Sequence, residues 1–218
     1  SFVSNCGIVV NSNSPTAMTV NGSVSVKALS IGVVGGTSGG MSPTASTGIA
    51  ALSDPLANLA APSVGSCLYT NLSIKGSMTL NPGTYCGGMS LGGKSSVTFN
   101  PGMYILAGGG LSGQGNSTVS GSGVTFYLTQ ISGFPYAGVN MQGKSVATLS
   151  APTSGTYKGI LFFQDRSITG ATAANNPSTF GGNSNSTYNG ALYFPTTAID
   201  YQGNISLVDG GYTHIIAD

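Results

Sequence analysis

Few residues in this sequence are of types that do acid–base chemistry, and they are scattered along the chain. The one carboxylate that adjoins a cation is in Asp165–Arg166, and His214 is the only histidine. Polysaccharide lyases and hydrolases with a β-helical fold need paired carboxylates, or carboxylates with a basic residue. Because neighbours in a strand point to opposite faces, Asp165 and Arg166 are not expected to form such a pair. We therefore predict a protein that is not an enzyme and has no catalytic residue or cofactor.

Metal binding is disfavoured by the same residues. One histidine and no glutamate exclude a His-rich zinc site, and we predict no metal site. A calcium site made of aspartates stays open, although it would depend heavily on backbone carbonyls. The isolated aspartates are Asp54, Asp165, Asp200, Asp209 and Asp218.

The composition favours short strands joined by turns. The chain has 35 Gly and 10 Pro, and only 5% of its residues are charged. Glu is missing and Lys is scarce, so strong helix formers are few, whereas Gly, Ser, Thr, Asn and Val abound. The net charge of +1 attracts neither nucleic acid nor an acidic lipid surface. No segment is apolar for long enough to span a bilayer. Because the chain starts at Ser1, we expect it to be a portion of a longer precursor.

An internal repeat predicts the fold. Asn81–Tyr85, with the sequence Asn-Pro-Gly-Thr-Tyr, recurs 19 residues later as Asn100–Tyr104, and alternating apolar and polar residues precede both copies. Such units bury too little apolar surface alone and are stable only when stacked. We predict an all-β, right-handed parallel β-helix (solenoid) as a single domain over residues 1–218. A β-sandwich is the alternative, but it gives no reason for a fixed offset.

The cysteines agree with the repeat. Cys67 and Cys86 are also 19 residues apart, so equivalent places in adjacent coils would put them about 4.8 Å apart, within bridging range. We predict a Cys67–Cys86 disulfide and an oxidising, extracytoplasmic setting. Cys6 is then free or pairs outside this chain.

Residues 35–66 interrupt the alternation. The segment is rich in Gly, Ser, Ala and Pro, and Ser53 or Asp54 before Pro55 is typical of a helix start. We predict an insertion here that carries a short helix.

Exposed aromatics and open edges are the candidate contacts. Phe134, Pro135 and Tyr136 form a glycine-flanked loop and are a possible surface contact for a glycan. Seven tyrosines could stack on sugars, or could instead line the core: Tyr127, Tyr136, Tyr157, Tyr188, Tyr193, Tyr201 and Tyr212. Strands containing Tyr212, Ile215 and Ile216 approach the terminus with no polar cap, so we expect an assembly edge there. Thr79, Thr98 and Thr118 do not sustain the flat threonine array of an ice-binding surface.

Eight segments carry a resemblance to a known family, and they are Cys6–Ser12, Val33–Gly36, Asp54–Ala57, Asn81–Gly88, Leu149–Tyr157, Gly159–Arg166, Gly190–Pro195 and Ile215–Ala217. In this order along the chain, they resemble the C-terminal region of TadG-like proteins of the bacterial tight-adherence (Tad/Flp) pilus system. The resemblance implies a repetitive region outside the cytoplasm, preceded by a membrane anchor and associated with pilus assembly. It supplies no catalytic residues. Family members often carry a cysteine where this chain has Tyr212–His214, and that departure would leave Cys6 unpaired.

We therefore expect a non-catalytic structural or adhesive solenoid, extracellular or at the surface of a bacterium. Its partners would be pilus or cell-surface components, a glycan, or further copies of itself. The alternatives are a self-assembling subunit of an extracellular fibre and a glycan-binding or polysaccharide-processing β-helix.

Overall fold

The computed structural model describes residues 2–3, 7–21, 25–181, 185–201 and 215–217. Every pairing between the strands of these residues is parallel, and the one helix among them has five residues. The predicted all-β parallel architecture is therefore confirmed, and the recurring order of strands is consistent with a solenoid. The chain divides into two compact units between Ala60 and Ala61, where one domain was predicted.

The N-terminal unit consists of short strands that pair about one coil apart. Its strands are β1 (Phe2–Val3), β2 (Gly7–Val10), β3 (Met18–Thr19), β4 (Val26–Lys27), β5 (Ser30–Val33), β6 (Thr37–Ser38), β7 (Met41–Ser42) and β8 (Ser46–Thr47). They form three sheets in the orders β1-β4-β7, β2-β5-β8 and β3-β6. Val26, Ile31 and Val33 are its buried core.

The predicted insertion at 35–66 is wrong in its bounds and in its helix. Strands β6, β7 and β8 lie inside that range and pair with β3, β4 and β5. Residues 55–58 form turns only. Asp54 does accept the Leu56 backbone N–H at 2.8 Å through its side chain, as a helix cap would. However, Pro62 ends any helix soon afterwards, and a segment this short does not repay the cost of helix nucleation.

The second unit, residues 61–217, is larger and repeats a course of three strands. Its elements are β9 (Cys67–Ile74), β10 (Ser77–Leu80), β11 (Gly83–Leu91), β12 (Ser96–Phe99), β13 (Gly102–Ala107), β14 (Leu111–Gly113), β15 (Thr118–Ser122), β16 (Val124–Thr129), β17 (Val139–Met141), β18 (Val146–Ser150), β19 (Ile160–Gln164), α1 (Gly170–Ala174), β20 (Ser178–Phe180), β21 (Thr187–Asn189), β22 (Ala191–Phe194), β23 (Ile199–Tyr201) and β24 (Ile215–Ala217).

These strands build three faces that the chain visits in turn. The first face runs β11-β13-β16-β19-β22-β24, and the second runs β11-β14-β17-β20-β23. Because the long strands β9 and β11 take part in both, these two faces form one sheet. The third face is a separate sheet in the order β10-β12-β15-β18-β21. Each strand thus pairs with its counterpart in the next coil.

The core of this unit is a column of stacked aromatic rings on the inner side of the first face. Neighbouring ring centroids lie 5.1 to 6.3 Å apart. The column consists of Tyr69, Tyr85, Tyr104, Phe126, Phe162 and Phe194. Phe99 packs edge-on against Tyr104 and Phe126 at 4.9 Å each. Parallel pairing sets Tyr69 opposite Tyr85, Tyr104 opposite Phe126 and Phe126 opposite Phe162. The other two ring contacts are diagonal, because Tyr85 lies opposite Leu106 and Phe162 lies opposite Leu192.

The structure explains the asparagine, the glycine and the tyrosine of the repeated Asn-Pro-Gly-x-Tyr segment. The Tyr85 hydroxyl donates to the Asn81 carbonyl at 2.6 Å, and the Tyr104 hydroxyl donates to the Asn100 carbonyl at 2.7 Å. The Asn100 side-chain amide donates to the Asn81 side-chain oxygen at 2.7 Å, which links the two copies. Gly102, at φ 140°, adopts a conformation that side chains disfavour. The two copies are therefore stacked at their asparagines, while the strands that follow pair in a shifted register, with Gly83 opposite Tyr104.

The disulfide prediction is confirmed, with a different register. Cys67 and Cys86 are bonded, and their Cα atoms are 5.6 Å apart. In the ladder, however, Cys67 lies opposite Thr84 and Cys86 lies opposite Thr70. Bulges in β9 and β11 shift the register here, so the bridge is diagonal.

Candidate functional site

The outer side of the third face is an exposed array of hydroxyl groups. Its strands alternate, so Val97, Phe99 and Val119 point into the core while every second residue points to solvent. The exposed residues, called the hydroxyl face below, are Ser77, Thr79, Ser96, Thr98, Thr118, Ser120 and Thr148. The register places them in two parallel columns. One carries hydroxyls across β10, β12, β15 and β18, and the other carries them across β10, β12 and β15 and ends at Val146 on β18.

Sequence analysis missed this array because it considered the threonines without the serines. Thr118 is not in the column of Thr79 and Thr98 but in the neighbouring one, beside Ser96. Ser120 continues the threonine column, and its hydroxyl is 3.4 Å from that of Thr98. Serine and threonine substitute for each other as hydroxyl carriers, so the column is regular although the residue type is not. The three threonines therefore do not form one array, as expected, but serine and threonine together form a column of hydroxyls that the expectation did not include.

The corner that precedes the third face carries three exposed lysines, called the lysine corner below. Lys75 precedes β10, Lys94 precedes β12 and Lys144 precedes β18, with Asn116 at the equivalent place before β15. Backbone hydrogen bonds stack the corners: the Asn116 N–H donates to Gly93 and the Lys144 N–H donates to Gly115, each at 2.8 Å. With coils about 4.8 Å apart, Lys94 and Lys144 are separated by roughly 10 Å along the stack.

Buried serines lie directly inside this corner. Ser95 and Ser145 follow the two lysines in sequence, and both are about 1% exposed. The Ser95 hydroxyl donates to the Gly92 carbonyl at 2.8 Å, which closes the turn that presents Lys94. At the Lys144 corner the Ser145 hydroxyl has no hydrogen-bond partner among the described residues, and the Ser145 N–H donates to the Gln142 carbonyl at 3.4 Å. Both lysine side chains are exposed. The backbone hydrogen bonds between stacked corners therefore fix where the lysines lie.

A further polar column borders the lysine corner on its other side. The second face has three-residue strands, so each contributes one outward side chain. The aligned residues are Ser73, Ser90, Ser112 and Asn140. The lysine corner is therefore flanked by hydroxyl and amide groups on both sides.

Asp165 and Arg166 lie together on the outer side of the first face, and not on opposite faces as predicted. Strand β19 ends at Gln164, so the alternation of a strand no longer applies to them. Asp165 accepts hydrogen bonds from the Thr129 hydroxyl at 2.5 Å and from the Ser167 N–H at 2.9 Å. These contacts tie the segment after β19 to the end of β16.

Arg166 stacks on the aromatic residues of the same outer side. Its guanidinium carbon is 5.2 Å from the ring centroid of Phe163 and 5.1 Å from that of Tyr193. Its Nε donates to the Tyr193 hydroxyl at 2.6 Å. Cation–π contacts of this kind stabilise partly desolvated sites. Each charged residue is therefore engaged in holding a loop against the sheet.

The protonation of Asp165 agrees with that role. Burial on its own would raise the pKa of the carboxyl, but hydrogen bonds from Thr129, Ser167 and Tyr127 outweigh it and lower the pKa. Burial and the neighbouring carboxylate raise the pKa of Tyr127. Asp165 is thus a fixed anion and Tyr127 a fixed hydroxyl donor at neutral pH.

The predicted aromatic contact is only partly at the surface. Pro135 is exposed and Phe134 is half-buried, but Tyr136 is 3% exposed and cannot stack on a sugar. Burial raises the pKa of Tyr136 to about 12. Tyr127, Tyr188 and Tyr193 are also buried, as in the alternative in which the tyrosines line the core; Tyr157 is half-buried.

The predicted assembly edge is described in part. Ile215 and Ile216 belong to β24, which within the described residues pairs with β22 alone. Several residues of earlier predictions lie outside the described residues: Cys6, Asp209, Tyr212, His214 and Asp218.

The described ranges contain no cluster of three metal-ligating side chains. Within the same ranges, no helix has the length and hydrophobicity needed to cross a bilayer. Comparison of the chain with known protein families, with curated proteins and with solved structures gives no match.

Proposed function

We propose that this chain is a non-catalytic structural or adhesive β-solenoid, right-handed, that works outside the cytoplasm at a bacterial cell surface or on a Tad-type pilus. The observation that carries the proposal is the exposed polar surface formed by the hydroxyl face and the lysine corner. The stacked aromatic rings of the core lie beneath this surface, so a large regular surface is held rigid. Rigid, periodic surfaces of this kind suit binding to other extended molecules.

The disulfide and the resemblance support the location. Disulfides persist in oxidising compartments, and the Cys67–Cys86 bridge joins two adjacent strands of the stack. The pilus assignment comes from the resemblance to TadG-like proteins alone. The engagement of Asp165 and Arg166 in loop contacts supports the non-catalytic part of the proposal.

Immunogold electron microscopy of intact cells tests this function. Antibody against the folded protein should label the cell surface or the pili, and protease added outside should remove the label. A gene-deletion strain is the control for antibody specificity. Label confined to the cytoplasm of sectioned cells, or label that external protease never removes, would contradict the proposal.

A self-assembling fibre subunit is the second candidate function. Within the described residues, β24 has a partner strand on one side only, and an open strand edge can pair with another chain. Replacing Ile215 with Lys places a charge on this edge strand, and it should abolish any self-association seen by size-exclusion chromatography with light scattering. Association that survives Ile215→Lys at the parent's strength would show that β24 is not the contact.

A further inference from the structure

Cations are concentrated on one corner of the second unit. The chain has six Lys and Arg residues, and Lys75, Lys94 and Lys144 are three of them. They follow one line because the corners of successive coils are stacked by backbone hydrogen bonds. The Lys75 side chain lies along the next corner, with its Cγ 3.8 Å from the position that a Cβ on Gly92 would take. Although the net charge of the chain is near zero, these three lysines therefore form a local line of positive charge.

Two described carboxylates belong to the second unit with the lysines. Asp165 is held by Thr129 in the segment after β19. Asp200 lies in β23, in the polar column of the second face and two strands beyond Asn140. Neither is part of the lysine corner. Its field is directed at solvent, where an anionic ligand is attracted to it.

The groups beside Lys75 and Lys94 are hydroxyls, whereas the outward residue next to Lys144 on the third face is the partly exposed Val146. Ser96 and Thr98 point outward next to Lys94 on one side, and Ser90 points outward on the other. The large hydrophobic residues that are exposed lie elsewhere: Val9, Leu29, Leu52, Val64, Leu68 and Tyr69. Hydroxyl side chains both donate and accept hydrogen bonds, as sugar hydroxyls do.

We propose that the lysine corner and the hydroxyl face bind an extended acidic polysaccharide, a sugar polymer that carries carboxylates, along the direction in which the coils stack. The proposal rests on the adhesive function above and names its ligand. The lysines attract the carboxylates, and the hydroxyl columns on both sides hydrogen bond to the sugars. A polymer repeats along its length as the coils do, so several weak contacts add in register.

Nucleic acid and anionic lipid fit this surface less well. Binding of single-stranded nucleic acid uses aromatic platforms for the bases, and the hydroxyl face has none. Binding to a membrane surface is strengthened by apolar side chains that enter the acyl boundary, and the outward columns of the third face from β10 to β18 offer only the partly exposed Val146. A carboxylated sugar polymer matches both the charge and the hydroxyl groups.

Biolayer interferometry with the full chain tests the proposal, using immobilised polygalacturonate as the acidic polymer and dextran as the neutral one. The protein should bind polygalacturonate, lose affinity as salt is added, and ignore dextran. The double variant Lys94→Gln/Lys144→Gln should bind about tenfold more weakly, because two exposed charge contacts are lost. Lys94→Arg/Lys144→Arg keeps both charges and should retain affinity.

The matched control is Lys27→Gln/Lys158→Gln, which removes the same charge from exposed lysines elsewhere. It should change affinity less than about twofold if position rather than net charge matters. Equal weakening by both double variants overturns the inference, as does equal binding to dextran. Tighter binding to anionic phospholipid vesicles or to single-stranded RNA also overturns it.

The outcome can be separated from that of the proposed function. A surface-labelled protein that does not bind polygalacturonate keeps its structural or adhesive role and loses this ligand. A protein labelled only in the cytoplasm loses the proposed function, whatever it binds in vitro.

Discussion

Substitution of Phe126 is the most direct test of the packing in the second unit. Its side chain is fully buried and its centroid lies 4.9 Å from that of Phe99, 5.4 Å from Tyr104 and 5.1 Å from Phe162. Truncation by Phe126→Ala removes the ring from the middle of the aromatic column. Fully buried phenylalanines lose about 3–5 kcal/mol of unfolding free energy on this change.

We expect the upper part of that range, for a structural reason. The backbone at Phe126 is paired in register with Tyr104 on one side and Phe162 on the other. Neither neighbouring strand can move in to fill the space without breaking its own ladder, so the cavity stays open. The expected loss is therefore about 4–5 kcal/mol, and about 1–2 kcal/mol for Phe126→Leu, which keeps part of the volume.

Urea unfolding followed by far-ultraviolet circular dichroism measures the loss, with an unchanged dependence on urea showing that the same surface unfolds. Thr98→Ala, at an exposed position, is the control and should stay within about 0.5 kcal/mol of the parent. If Phe126→Ala does not fold, the Leu variant carries the test. A loss below about 1 kcal/mol for Phe126→Ala would refute the idea that the column cannot relax.

Three more outcomes are expected. Cys67→Ala/Cys86→Ala should lose about 3 kcal/mol of unfolding free energy in the chain-entropy model, and reductant should lower the urea midpoint of the parent but not of the variant. Because the folded pKa of Asp165 is lowered, its contribution to stability is present above its ordinary value of 3.8 and is lost as pH falls through the folded pKa. The stability difference between the parent and Asp165→Asn should therefore shrink on acidification below 3.8, and a pH-independent difference would contradict the cause given. Gly88→Ala should destabilise the fold strongly, because Gly88 has φ 75° and an added Cβ would lie 2.4 Å from the Gly110 carbonyl oxygen. Gly93→Ala is the control: its Cβ would meet nothing within 4 Å, so the same unfolding assay should show almost no change.

Sequence analysis reached the parts of the fold where the repeat is regular. Asn81 and Asn100 recur at the offset that the structure uses for their contact, so the strands around them could be predicted. Further along, hydrogen-bonded neighbours in adjacent coils are 22, 28 and 39 residues apart. Because the loops between strands differ in length, the sequence repeat loses its constant spacing, although the strands stay in register.

The candidate surface was harder to predict because it depends on register. Lys94 and Lys144 are far apart in sequence, but both stand in a Gly-Lys-Ser segment that follows an apolar–polar–apolar run. This shared pattern is the signal that could have placed them at one corner. The loop contacts of Asp165 were missed for a related reason: where β19 ends decides which way the side chain points, and strand ends are set by tertiary pairing. Helix α1 has no capping side chain and no charged residue in its first or last turn, so it gave no signal.

The unequal loops also bear on how such a chain evolves. Strands pair through the main chain, so a coil recognises its neighbour with little regard to the side chains at its corners or to the length of its loops. Insertions between strands leave the stack intact, and duplication of one coil's coding segment supplies a new coil that already fits both of its neighbours. The two Asn-Pro-Gly-x-Tyr corners, joined by an amide hydrogen bond, have the form that such a duplication leaves behind. Loops can then change in length and sequence, whereas a side chain added at a glycine with positive φ such as Gly88, or the loss of a stacked ring, disturbs the stack itself.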